Sequence, residues 1–122
     1  MTSQPLNDRS QGDALCPNCG TIVPPGGRGL GRVFCSKTCR LAFNARTKAR
    51  GAVLAPFIQA QTQTRHAKPG TIEAEICSYA RSEITQIGAI FNEQDEAAGR
   101  PPASAYVLAL MRSGTRYIDR QR

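Results

Sequence analysis

Two stretches decide the fold: residues 16–20, CPNCG, and residues 34–43, FCSKTCRLAF. Between them they set four cysteines in the pattern C-x2-C, fifteen intervening residues, then C-x3-C. A two-residue gap inside a Pro- and Gly-bracketed turn aims both sulfurs of Cys16 and Cys19 at one point. The three-residue gap lets Cys35, at a strand end, and Cys39, in the first turn of a helix, meet at that point. Four thiolates at tetrahedral corners are a closed shell for Zn²⁺, with no open position for water or a substrate. The expected metal ligands are therefore Cys16, Cys19, Cys35 and Cys39, the cofactor is Zn²⁺, and its role is structural.

Working outward, TIV (21–23) and RVF (32–34) are β-prone runs separated by PPGGRGLG, which predicts a small hairpin. Ser36 is placed to cap a helix from Lys37 to about Arg50, where Gly51 loosens it and Pro56 ends or kinks what continues. On that helix Lys37, Arg40, Asn44 and Lys48 share one stripe and Arg46 and Arg50 another flank, with Leu41, Ala45, Ala49 and Ala52 facing the core. Four thiolates around Zn²⁺ leave a local charge of about minus two. Arg32, Lys37 and Arg40 therefore read either as charge balance at the metal or as a surface for an anionic partner.

The two cysteine stretches together resemble the FCS-type treble-clef zinc fingers. They are similar in particular to the YacG-type DNA gyrase inhibitors, which join a CPxCG knuckle to an FCS-x-x-C-R helix start. The likeness covers residues 16–50. It implies a fold of knuckle, β-hairpin and helix, the same four cysteines as ligands, and a small regulatory protein that acts by binding another protein.

The remainder of the chain is helical in pattern. Residues 59–70, QAQTQTRHAKPG, have almost no apolar content and read as a linker. Thr71 is a candidate N-cap, with Glu73 and Glu75 suited to the positive end of a helix dipole. Ile72, Ile76, Tyr79, Ala80, Ile84, Ile87, Ile90 and Phe91 recur at helical spacing and predict one apolar stripe. Gly99 and Pro101-Pro102 stop that helix. A shorter one over 103–112 offers Val107, Leu110 and Met111. The two are expected to pair as a hairpin with their apolar faces together. The fold class is thus α+β: a disordered start (1–13), a zinc finger with a basic helix (14–58), the linker (59–70) and an α-helical hairpin (71–122).

Charge narrows the function. The net charge of +7 is segmented, with eight Lys/Arg against two Asp in residues 1–50, six Asp/Glu against Arg81 in 71–99, and five Arg against Asp119 in 100–122. This layout fits DNA or RNA contact through Lys37, Arg40, Arg46, Lys48 and Arg50, or neutralisation of the basic parts by the acidic helix within the fold. A protein-interaction regulator without nucleic-acid binding is the alternative, and residues 71–112 are a candidate surface for a protein partner or a second copy. Catalysis is not expected. His66 is the single histidine and lies in the polar stretch, and no phosphate loop, nucleophile elbow or catalytic carboxylate pair is present. Cys77 reads as a small buried hydrophobe and Glu83 as a helix-edge residue. The N-terminus lacks the features of a secretion signal and no apolar run is long enough to span a bilayer, so the expected location is the cytoplasm of a bacterium or phage host, with no membrane or small-molecule substrate.

Overall fold

The computed structural model describes residues 14–23 and 33–114. Two short strands, β1 (Ala14–Leu15) and β2 (Ile22–Val23), precede three helices: α1 (Lys37–Thr64), α2 (Ile72–Ala97) and α3 (Ala103–Ser113). The described residues are therefore mostly helical. They fall into two compact units, one joining residues up to Phe43 with those from Asp95 onward, the other formed by Asn44–Gln94.

In the first unit β1 and β2 pair antiparallel, Ala14 with Val23 and Leu15 with Ile22. Strand β2 was expected to pair forward with residues 32–34. It pairs backward instead, because the knuckle itself makes the turn: the Cys16 amide donates to the Thr21 carbonyl and the Gly20 amide to the Cys16 carbonyl, both at 2.8 Å. Val33 and Phe34 carry no strand, and Arg32 lies outside the described residues.

Gly20 is required by its backbone conformation, and it stands at ordinary contact distance from a second turn. Its φ is +81°, and a Cβ built there would lie 3.5 Å from the Gly99 carbonyl oxygen and 3.7 Å from Pro101. The knuckle thus rests on the turn between α2 and α3. That turn is made by Gly99 in the left-handed region and by Arg100, whose amide donates to the Asp95 carbonyl at 2.9 Å and whose Nε donates to Asp95 Oδ1 at 2.8 Å. An aromatic row, Phe34 to Phe43 at 5.2 Å and Phe43 to Tyr106 at 4.9 Å between ring centroids, joins the start of α1 to α3. Tyr106 and Leu110 are half-buried on α3, whereas Val107 and Met111 are exposed. The inward side of α3 is therefore set by Tyr106 and not by Val107 and Met111 as the sequence pattern predicts. Gly114 closes the helix in the left-handed region, as Ser113-Gly114 predicts.

The second unit is a hairpin of α1 and α2. The sequence predicts a helical pair over 71–122; α3 is grouped with the cysteine-rich unit. Helix α1 continues through Pro56 to Thr64, so residues 59–64, expected as linker, are helical. Pro56 and Ala52 are both exposed, which leaves the carbonyl that loses its partner at Pro56 free to bond water. Half-buried Phe57, Ala60, Gln61 and Thr64 hold the continuation against its neighbour, and Gln is itself a good helix former. Phe57 meets Tyr79, and Arg50 lies over the ring of Phe91 at 4.7 Å, which fixes the two helices as antiparallel.

Helix α2 begins as expected: Thr71 Oγ1 accepts from the Ala74 amide at 3.2 Å, with Glu73 and Glu75 in the first turn. Its apolar residues split into two groups, however. Cys77, Ala80, Ile84, Ile87 and Phe91 turn inward, while Ile72, Ile76, Tyr79 and Ile90 are exposed. The arc is wider than one neighbouring helix can cover. Among the described residues no helix is long and apolar enough to cross a membrane.

Candidate metal centre

Cys16 and Cys19 sit on the knuckle, Cys35 on the bend that leads into α1, and Cys39 in its first turn. Ser36 starts that turn: its Oγ accepts from the Cys39 amide at 3.2 Å and its carbonyl from the Arg40 amide at 3.1 Å. This cap is the one expected from sequence, and it points the Cys39 side chain back toward Cys35.

The four sulfurs all lie within 4.8 Å of one another, with Cys19–Cys35 and Cys35–Cys39 at 3.5 Å. Zn–S bonds of about 2.3 Å in a tetrahedron require S···S edges of about 3.8 Å, so the cluster is the size of one tetrahedral thiolate site. None of the five cysteines forms a disulfide. The residues present therefore fit a single metal ion, and a set of four thiol donors is compatible with zinc.

The surroundings favour thiolates unevenly. Burial pushes the Cys16 thiol up, but backbone amides of Cys35, Cys19 and Asn18 bond its sulfur, and the net direction is down. Cys19 is lowered to about 6, first by the Thr21 hydroxyl, whose Oγ1 lies 3.0 Å from the sulfur, then by the Thr21 amide and by Cys35. Cys35 is raised to about 12 because it sits between the sulfurs of Cys19 and Cys39. Four crowded thiols cannot all ionise without a cation among them, and a bound divalent ion supplies that charge. Thr21 is the functional neighbour that the cysteine spacing alone does not reveal; its position two residues after Cys19 is the only signal.

The basic residues separate. Lys37, Arg40 and Lys48 are exposed, as their shared stripe predicts. Arg46 and Arg50 are half-buried. Arg50 donates from Nη2 to the Phe91 carbonyl at 3.4 Å and to Gln94 Oε1 at 3.3 Å, besides stacking on the Phe91 ring. It is a packing residue of the hairpin. Leu41, Ala45, Ala49 and Ala52, expected on the core side, are exposed instead. The inward face of α1 is set by Phe43, Arg46, Arg50, Leu54 and Phe57, one helical flank away. His66 is exposed and stands outside the cysteine cluster, and Cys77 is buried, with Arg81 Nη2 at 3.7 Å from its sulfur. Compared with protein-family models, with curated proteins and with solved structures, the chain matches none.

Proposed function

We propose that the protein is a zinc-binding, non-enzymatic regulatory module of the FCS treble-clef type that contacts DNA or RNA through Lys37 and Arg40, with Lys48 on the same helix. The zinc assignment is supported by four thiols of tetrahedral size in a C-x2-C, C-x3-C pattern. The observation that carries the nucleic-acid reading is the charge of α1: its 28 residues include Lys37, Arg40, Arg46, Lys48 and Arg50 and no Asp or Glu. Nothing within the helix neutralises the exposed lysines and Arg40. An exposed cationic helix start beside a rigid metal site is suited to gripping phosphates. Arg46 and Arg50, half-buried, drop out of the proposed interface.

The test is the salt dependence of binding to duplex DNA and to single-stranded RNA. Affinity should fall log-linearly with salt, and Lys37→Ala, Arg40→Ala and Lys48→Ala should each lower the slope by about 0.7–0.9 for every phosphate left without its cation. Arg40→Ala must be checked for metal content, since Arg40 directly follows Cys39 in sequence. Absence of binding to either nucleic acid at low salt would refute this reading. Capture of a protein such as gyrase through the same residues would then favour the interaction regulator implied by the resemblance.

A further inference from the structure

The hairpin of α1 and α2 buries little for its length. In Asn44–Gln94 the buried apolar side chains are Cys77 and Ala80. Large ones remain open: Ile58 on an outer flank of α1, and, together on one face, Val53 at 48%, Ile72 at 61%, Ile76 at 39%, Tyr79 at 63% and Ile90 at 51% relative exposure. On α2, positions 72, 76, 79, 83, 86 and 90 follow spacings of four, three, four, three and four, a heptad seam one position round from the inward residues. Because α1 runs antiparallel to α2, its flank bearing Ala49, Val53, Pro56 and Ala60 lies on the same side as that seam. Neither the seam nor that flank carries a Lys or Arg, so this face is not built for phosphates.

The seam is self-complementary when reversed. Read about position 81 it pairs Ile72 with Ile90, Ile76 with Gln86, and Tyr79 with Glu83. The last pairing sets a phenol hydroxyl against a half-buried carboxylate. A parallel arrangement would instead set Glu83 against Glu83. Two such faces would bury on the order of 1,000 Å² in total, the scale a specific interface needs.

We propose that a second copy of this chain covers the open face, with α2 packed antiparallel on α2 about a two-fold axis at the level of Arg81, which makes a four-helix bundle. Phe57 sits beside Tyr79, so the same axis crosses α1 near Pro56 and Phe57. It brings Val53 against Ala60 of the second copy, a large residue against a small one. The interface is isologous, each Ile72 meeting the other copy's Ile90. This inference stands apart from the zinc and nucleic-acid readings.

Sedimentation velocity on the full metal-loaded chain tests it. The wild-type protein should be a dimer. Ile72→Glu and Ile90→Lys should each raise the dimer dissociation constant by about tenfold or more. An equimolar mixture of the two variants should dimerise again, because the introduced charges then face each other across one contact while the other keeps its two isoleucines. Misfolded variants could not give that rescue. A wild-type protein that stays monomeric up to its solubility limit, dimers that both variants leave intact, or variants that do not recover on mixing would each overturn the proposal.

Discussion

Cys16→Ser abolishes stoichiometric zinc binding and unfolds the knuckle, leaving the α1–α2 hairpin helical. The expectation follows from what holds the cysteine-rich unit together. Its buried apolar side chains among the described residues are Cys16, Pro17 and Val23, and its sheet is two residues deep. So little burial supplies only a few kcal/mol at about 25 cal/mol per Å². Structural zinc sites contribute apparent binding free energies of about 10–16 kcal/mol at neutral pH. Most helical residues lie in α1 and α2, so far-UV circular dichroism should retain its helical signal while amide NMR dispersion for residues 14–23 and 33–43 collapses.

Acid should act in the same direction as Cys16→Ser. Zinc needs thiolates, and in the metal-free site Cys19 titrates near 6 while Cys35 holds its proton to about 12. Binding at pH 7 therefore displaces at least the Cys35 proton, and zinc affinity rises with pH. For the metal-free fold the signs differ. The depressed Cys19 contributes stability that is present above the unfolded thiol pKa of 9.0 and is lost as pH falls through about 6. The raised Cys35 contributes stability that is present below 9.0 and is lost as pH rises toward 12. An amide spectrum unchanged in Cys16→Ser, or zinc affinity flat with pH, would contradict the metal's structural role.

Asp95→Ala should destabilise the protein by about 2–3 kcal/mol in chemical denaturation. Asp95 is the one buried charged residue among those described, and its carboxylate accepts a hydrogen bond from Arg100 Nε at 2.8 Å. Its loss leaves the largely buried Arg100 guanidinium without that acceptor. It also loosens the turn at Gly99–Pro101, the surface on which Gly20 and the knuckle rest. Asp95→Asn keeps the shape and should cost less. A change under about 0.5 kcal/mol for Asp95→Ala, the level of an ordinary surface substitution, would show that the turn is held by other contacts.

The cysteine cluster was legible in the sequence because ligand spacing is a local signal: two turns and one helix start determine where four sulfurs go. The caps were legible for the same reason, Ser36 for α1, Thr71 for α2 and Gly114 after α3. What the pattern could not supply is which helix pairs with which. Residues 59–64 are polar enough to read as linker, but α2 gives Phe57 a partner, and Pro56 faces solvent where its missing donor costs little. The inward face of α1 was misplaced because Arg46 and Arg50 occupy core-side positions. A long guanidinium side chain lying on Phe91 looks, in sequence, like one more surface cation. Likewise the wide apolar arc of α2 reads as a single stripe until one neighbour is seen to cover only part of it.

The central claim is that one zinc ion organises the cysteine-rich unit, and elemental analysis of the full chain purified under reducing conditions tests it most directly. The predicted result is one zinc per chain, held by wild-type protein through dialysis and absent from Cys16→Ser. Metal-free wild-type protein whose amide spectrum is already that of a folded knuckle would contradict it.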